Sequence, residues 1–432
     1  MAEPRPVKLG EVADFLTGFP FKSADYTDES VGIRLIRGDN IIQGAMRWEG
    51  VKRWPAHLAN QSEDYRLFPG DVVLAMDRPW IEAGLKYAAL SDDDCPSLLV
   101  QRVTRLRGTE RIDKGFLRYV IGGRHFTDYV LAVQTGTAVP HISGGQIKAF
   151  QFLLPDIAEQ RSIASVLGAL DDKIELNRRM NETLEAMARA IFKDWFVDFG
   201  PTYAKAEGRA PYLAADLWSL FPACLDEEGK PEGWREGTLA DVSNLNSESW
   251  SAENRPSQLE YVDLSNTKWG VIEAAEAYLW DAAPSRARRV LRSGDTIVGT
   301  VRPGNGSYAL VGLDGLTGST GFAVLRPRKR IFREFVYCAA TSSDNIDRLA
   351  HLADGGAYPA VRPDVVTGTP LLLASSAISE AFSAVCCPMI DQMEANKRQN
   401  RTLAQTRDLL LPKLMSGEIR VREAEALLAA AQ

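Results

Sequence analysis

The chain has few of the residues that build metal centres or covalent cross-links. Its 432 residues include five cysteines and four histidines. The cysteines, at positions 95, 224, 338, 386 and 387, form no Cys-x-x-Cys and no spacing suited to zinc. They are expected to stay reduced in the cytoplasm. No apolar run reaches the roughly 18–20 residues of a membrane span, and Met1-Ala-Glu-Pro-Arg-Pro6 has no apolar signal core. A cytoplasmic protein with no membrane partner is the expectation. Positive charge is not in excess either: the net charge is −7, which at first speaks against nucleic acid. The distribution qualifies that. Residues 1–150 hold 19 basic and 19 acidic side chains, and residues 232–375 hold 15 and 17. Local basic clusters stand out in the second stretch, Arg286-Ala-Arg-Arg289 and Arg326-Pro-Arg-Lys-Arg330. A near-neutral domain can hold DNA through such a patch, helped by basic partner subunits.

Motifs for catalysis are also lacking. There is no Asn/Asp-Pro-Pro-aromatic tetrapeptide with a Gly-rich cofactor loop, as a DNA methyltransferase would need, and no Gly-x-x-x-x-Gly-Lys-Ser/Thr phosphate loop. Pro155-Asp156 and Pro363-Asp364 have no Glu-x-Lys at nuclease spacing, and read as a helix entry and a turn. His125 and His141 have no identifiable Ser or Cys partner, and Asp171-Asp172 reads as a solvated helix face. The expectation is a non-catalytic chain without a metal or cofactor of its own.

What the chain has is a repetition. Gly136-Thr-Ala-Val-Pro140 returns 219 residues later as Gly355-Gly-Ala-Tyr-Pro359, and the offset holds from Ile142/Val361 through Leu153/Leu372. It still holds where Asn177-Arg-Arg-Met-Asn-Glu-Thr-Leu184 meets Asn396-Lys-Arg-Gln-Asn-Arg-Thr-Leu403. Upstream, Gly70-Asp-Val-Val-Leu-Ala-Met-Asp-Arg-Pro79 matches Gly294-Asp-Thr-Ile-Val-Gly-Thr-Val-Arg-Pro303 at an offset of 224. Solenoid units run about 20–50 residues, so the duplicated piece is a whole domain plus a helix.

Each copy reads as a mixed α/β domain. In the first, strand-like runs Ile33–Ile36, Asp71–Leu74 and Leu98–Val103 precede a helix-like run, Gly115–Ile121. In the second, Thr296–Val298 and Phe322–Leu325 precede Arg333–Cys338. After each copy comes a heptad seam. The first runs through Ile163, Leu167, Leu170, Ile174, Asn177, Asn181, Leu184, Ala188, Ile191 and Trp195, and the second from Phe382 through Asn396 and Asn400 to Leu414. Two asparagines sit at the middle of each seam, where buried amides fix register. Antiparallel pairing sets Asn177 near Asn400 and Asn181 near Asn396; parallel pairing would set 177 beside 396. The expected fold class is α+β: two similar target domains separated by two long helices that form an antiparallel coiled coil, one globular domain at each end. The expected domains are 1–155, a central helix 156–199, a Gly/Pro-rich linker 200–231, 232–375, a second helix 376–416 and a tail 417–432.

The residues Gly136-Thr-Ala-Val-Pro-His-Ile142, Phe152-Leu-Leu-Pro155, Glu159-Gln160, Ile191-Phe-Lys-Asp-Trp-Phe-Val-Asp-Phe199, Pro231-Glu-Gly-Trp234 and Leu410-Leu-Pro-Lys-Leu-Met-Ser-Gly-Glu-Ile419 follow one another in a telling order. With the duplication, they resemble the specificity subunit of a type I restriction-modification system, over nearly the whole chain. The second copy departs from the pattern: it lacks the Thr of the Gly-x-x-x-Pro stretch, and Ser375–Ala381 lacks the Pro and the Glu-Gln pair. The resemblance implies that each globular domain reads one half of a split double-stranded DNA target. It implies that the helices set the spacer and dock two methyltransferase subunits, and that a motor-nuclease restriction subunit joins for cleavage. S-adenosylmethionine, ATP and Mg would then belong to the partners alone.

Candidate DNA-reading residues are polar, basic and aromatic positions near strand ends. In the first copy they are Lys22, Arg37, Asn40, Arg78, Trp80, Gln101, Arg102, Thr137, His141 and Ser143; in the second, Ser249, Trp250, Arg302, Asn305, Ser319, Thr320, Tyr358 and Arg362. Trp195 and Phe196, aromatics at a helix end, are candidates for partner binding or for packing on the adjoining domain. A stand-alone bipartite DNA-binding scaffold and a protein-binding coiled-coil adaptor are the competing classes.

Overall fold

A computed structural model describes residues 5–430, apart from 82, 83, 137 and 357. The chain divides into two compact units, Met1–Leu176 with Gln399–Gln432, and Asn177–Arg398. The division falls inside both long helices, Ile157–Phe196 and Ser376–Ser416, because each globular part packs on helical segments from both.

The first unit is built from two sheets and two short strand pairs, one of them the hairpin of Trp80–Ile81 with Gly84–Leu85. Asp14–Thr17, Val103–Arg107, Val72–Ala75, Tyr87–Ala89 and Gln43–Gly44 form one sheet in that order. Arg53–Trp54, Ile33–Ile36, Ser97–Leu99 and Arg66–Leu67 form the other, with Ile33–Ile36 and Ser97–Leu99 parallel. Arg5–Lys8 pairs antiparallel with Gln151–Leu154, tying the start of the unit to the strand before the long helix. Val72–Ala75 is buried on both faces, which is why it reads as an unbroken apolar run rather than an alternating one. Helices Lys114–Gly122 and Arg124–Val133 close the core through Phe116 and Phe126, both fully buried. The expected strand 98–103 is in fact two, Ser97–Leu99 and Val103–Arg107. Between them Arg102 takes a left-handed φ of 66°, so the chain turns and passes into the other sheet.

The second unit repeats this plan. Ser243–Leu245, Phe322–Pro327, Thr296–Gly299 and Tyr308–Leu310 form one sheet, and Glu276–Leu279, Gln258–Val262, Leu316–Ser319 and Ala287–Val290 the other. Gln258–Val262 and Leu316–Ser319 are the parallel pair here, and Arg235–Thr238 clasps Pro370–Leu373. An internal ion pair is duplicated as well. Arg107 grips Asp71 at 2.6 and 2.8 Å, and Arg326 grips Asp295 at 2.9 Å twice. Each carboxylate also caps the turn before its strand, accepting from the Phe68 or Arg292 backbone N–H at 2.9 Å. The repeated Gly-Asp of the sequence is this capped turn. Residues 200–231 form two short helices, Gly200–Ala206 and Ala215–Leu220, and bury Thr202, Ala204 and Phe221.

The helices pair antiparallel within each unit. In the first, Arg407 bonds Asp171 at 2.7 Å and the Asn400 amide donates to the Ile174 carbonyl at 3.3 Å. In the second, the Asn396 amide donates to the Asn181 side-chain oxygen at 2.8 Å, and the Asn181 amide to the Met393 carbonyl at 3.3 Å. Phe382 then meets Phe192 and Trp195. Rising numbers on one helix meet falling numbers on the other, as the antiparallel reading requires. Asp171 is not a solvated residue: Arg118, Tyr119 and Arg407 converge on it. Burial works against its anion, but the Tyr119 hydroxyl and the two guanidiniums outweigh that and hold its pKa below the ordinary carboxylate value.

Candidate nucleic-acid interface

The two matching sequence stretches meet in space, in the same way in each unit. In the first unit the strand Val72–Ala75 ends at Met76, whose N–H donates to the Arg102 carbonyl at 2.9 Å. The Ile142 N–H donates to the Met76 carbonyl at 2.9 Å, and the Arg78 N–H to the Pro140 carbonyl at 2.6 Å. In the second unit Thr300 donates to Gly321 at 2.8 Å, Val361 to Thr300 at 2.9 Å and Arg302 to Pro359 at 2.7 Å. Both arginines are held left-handed, φ 45° for Arg78 and 48° for Arg302, a conformation that costs a non-glycine residue free energy and that concentrates at functional loops. The glycine that opens each Gly-x-x-x-Pro stretch permits the turn that presents the proline carbonyl. Gly136 has φ 91°, and a Cβ there would sit 2.7 Å from the Val139 carbonyl oxygen.

Around this frame the first unit gathers several of its candidates. Asp77 accepts from or pairs with His141 Nδ1 at 2.6 Å and stands 3.6 Å from Arg102. Arg78, Gln101 and Arg102 are exposed, and Trp80 is 37% exposed on a two-residue hairpin strand. The Gln101 N–H bonds the carbonyl of Phe19, an exposed aromatic that the sequence reading passed over. Nearby, Lys86 is pushed below its usual pKa by burial, with Arg47 and Arg78 adding to the effect against Asp39. Lys22 stands exposed at the start of the turn Ser23–Asp25. Arg37 is half-buried and pairs with Asp39 at 3.2 Å. Thr137 lies outside the described residues.

In the second unit Arg302 lies over the Tyr358 ring at 4.8 Å, and the Asn305 N–H bonds the Arg302 carbonyl at 2.9 Å. Tyr358 is 72% exposed. Thr320 is exposed and donates its N–H to the Arg286 carbonyl at 2.8 Å. Ser249 accepts from Arg289 at 3.2 Å, and the Trp250 N–H bonds the Arg288 carbonyl at 2.8 Å. Arg362 is exposed and pairs with Asp364 at 3.2 Å. Arg286, Arg288 and Arg289 thus bring Ser249, Trp250 and Thr320 together along one strand.

Several expected positions are buried or have their polar atoms engaged within the fold. Asn40 is buried: its amide donates to the Arg47 carbonyl and its oxygen accepts from the Arg37 N–H at 3.2 Å, so it organises a turn. Ser319 is fully buried and its hydroxyl accepts from the Gly321 N–H. Ser143 caps the helix Gly144–Ala149 by accepting from the Gln146 N–H, and the Trp250 indole N–H is used by Thr317 at 2.9 Å. Trp195 and Phe196 are buried, 2% and 6% exposed, among Phe221, Trp234, Phe335 and Phe382. They anchor the second unit's core and are not a partner surface. Gln160 is likewise turned inward: it accepts from the Asp113 N–H and donates to the Arg111 and Pro155 carbonyls. Its counterpart Ser379 donates its hydroxyl to the carbonyl of Ser375, just before its helix. Among the described residues no group of three or more His, Cys, Asp or Glu is placed to hold a metal ion, and no helix is long and apolar enough to cross a membrane.

Comparison with known proteins fits this geometry. Residues 3–186 match the model of the type I restriction modification DNA specificity domain. A type I restriction enzyme MjaVIII specificity subunit of Methanocaldococcus jannaschii is 33% identical over 186 residues, 43% of this chain and 43% of that protein. The match therefore spans less than half the length of that relative. The MjaIX specificity subunit of the same organism is 23% identical over 365 residues, 83% of this chain and 80% of the relative, so the likeness extends across both copies. Among solved structures, the S subunit of a type I restriction-modification system from M. genitalium superposes with a TM-score of 0.53 at 15% identity, covering 96% of this chain and 99% of that one. At that identity the likeness establishes the fold.

Proposed function

We propose that this chain is a type I restriction-modification DNA specificity protein, the family that its similarities point to, and that its two units read the two halves of one split target in double-stranded DNA. The observation that carries the reading is the duplicated arginine. Arg78 and Arg302 are both held left-handed and both bonded to a proline carbonyl from the Gly-x-x-x-Pro stretch. Two copies of one strained, exposed device suit a ligand that repeats. An arginine can bond a guanine bidentately in the major groove, and nearby polar groups can position the unit on phosphates. In the first unit Arg78, Trp80, Gln101, Arg102 and His141 do this work, with Asp77 orienting the last two. In the second, Arg302, Asn305, Thr320 and Tyr358 do so.

The two long helices act as the spacer between half-sites, which on B-DNA recur about every 10–10.5 base pairs on one face. They also serve as the platform for two methyltransferase subunits, with a motor-nuclease subunit joining for cleavage. Methyl transfer and cutting, and with them S-adenosylmethionine, ATP and Mg, belong to those partners, and the assembly works in the cytoplasm. Co-expression with a methyltransferase subunit of its system, followed by single-molecule mapping of modified bases, tests the reading. Two short half-sites around a fixed gap are expected. A soluble, co-purifying chain that directs no new methylation would overturn the proposal in favour of a protein-binding adaptor.

A further inference from the structure

The two units differ in charge at one matching strand. In the second unit Ala287–Val290 pairs antiparallel with Leu316–Ser319, but the register slips between Ala287 and Arg289. Ala287 faces Ser319 and Arg289 faces Gly318, so Arg288 is the added residue of a bulge, a feature that re-aims side chains. Ala287 and Val290 are buried, while Arg286 is exposed and Arg288 and Arg289 are half-exposed.

Neighbouring arginines are neutralised by close carboxylates, whereas Arg288 and Arg289 are not. Arg326 is held by Asp295 and Glu248, and Arg292 by Glu248 at 2.9 Å. Arg286 has only Asp263, at 3.7 Å. Arg288 lies over the Trp280 ring at 4.7 Å and donates to the Ala287 carbonyl. Arg289 donates to the Ser249 hydroxyl, and its Nε is buried without an acceptor. Among the described residues no carboxylate lies within ion-pair distance of Arg288 or Arg289. The strand also abuts the reading loop, since Arg286 accepts from Thr320, next to the Gly321 that braces Thr300. In the first unit the equivalent strand, Arg66–Leu67, pairs with Ser97–Leu99. There the repeat offset sets Ser62, Asp64 and Tyr65 in place of the three arginines, with exposed Arg66 in place of buried Val290.

We propose that Arg286, Arg288 and Arg289 form a strip that grips the phosphate backbone of duplex DNA, and that the first unit, with Arg66 alone on the matching strand, has no strip of three. Along this strand the electrostatic anchoring of the complex is then weighted to the second unit. This rests on the split-target reading above. The planar guanidiniums suit phosphate oxygens, and the Trp280 ring and Ser249 hydroxyl fix two of them in place.

The test uses the full chain with its methyltransferase partner and two duplexes, one carrying the mapped target and one scrambled. Affinity is followed as salt is raised. Each phosphate contact contributes about 0.9 to the slope of log affinity against log salt. Changing Arg286→Gln, Arg288→Gln and Arg289→Gln together should lower that slope by about 2–3 on both duplexes, leaving the preferred motif unchanged. The matching lysine replacements should keep the slope, and Asp64→Gln in the first unit should leave it within about one contact of wild type. The single change Arg288→Gln, expected to cost about one contact, guards against a triple variant that fails to fold. An unchanged slope in the glutamine variants, or lysine variants that fail as the glutamine ones do, would overturn the strip. A wild-type complex that binds both duplexes alike would overturn the split-target reading while the slope still decides the strip. Binding to neither would overturn both.

Discussion

Replacing Arg302 with glycine and with alanine separates what its conformation costs from what its side chain does. At φ 48° a non-glycine residue gives up about 1–2 kcal/mol, and Pro303 immediately after narrows its choices further. Alanine keeps that strain and glycine removes it. Against this, glycine loses about 0.5–1 kcal/mol relative to alanine through the greater freedom of the unfolded chain. The difference predicts that Arg302→Gly is more stable than Arg302→Ala by about 0.5–1 kcal/mol, the reverse of the order at an ordinary extended position. Loss of the stacking on the exposed Tyr358 ring is common to both variants and is worth about 0.5–1 kcal/mol. For a unit of this size, 1 kcal/mol moves Tm by roughly 2–4 °C, within reach of scanning calorimetry. Both variants should lose recognition of one half-site to the same extent, since neither carries a guanidinium. An alanine variant as stable as the glycine one or more so would refute the left-handed constraint. An unchanged methylation motif in either would refute the role of Arg302 in reading.

Three further outcomes follow from the packing. Asp295→Ala strips a buried carboxylate from Arg326 and from the turn before Thr296–Gly299; chemical denaturation should show a loss of about 2–4 kcal/mol, and a loss under 1 kcal/mol would contradict its place in the core. Asn181→Leu with Asn396→Leu should raise stability yet loosen helix register, so engineered cysteines should cross-link in more than one register; a single register as in the parent would contradict the role of the amides. Because the Asp171 pKa is held below its unfolded value, its stabilising contribution is complete above the ordinary carboxylate range, near pH 4, and drains away as pH falls through the folded value. The stability gap between wild type and Asp171→Asn should therefore narrow below about pH 4; a gap independent of pH would contradict the pairing with Arg118, Tyr119 and Arg407.

The sequence disclosed most where spacing alone decides structure. Val72–Ala75 and Thr296–Gly299 are buried on both faces, so they read as short runs without polar alternation at matching offsets. The helix seams kept a strict heptad, and the mid-seam asparagines fixed the antiparallel register through the Asn181–Asn396 bond. It disclosed least where a distant segment decides exposure. Trp195 and Phe196 look exposed at a helix end, but Phe221 and Trp234, far along the chain, cover them. Asn40 and Ser319 look like readers because they are polar near strand ends, yet short-range hydrogen bonds with the backbone draw them inward. The turn at Arg102 carries no glycine to announce it, so two strands read as one. Asp77 was overlooked because its value is relational: it matters only once His141 and Arg102 are brought against it.

The measurement that tests the account most directly is the methylation motif specified by Arg78→Ala and by Arg302→Ala, each co-expressed with the methyltransferase subunit. Each variant should relax or lose one half-site while keeping the other, and the two should affect opposite halves around an unchanged gap. If either substitution weakened methylation uniformly at all sites, or if both altered the same half, the claim that each unit reads its own half would be contradicted.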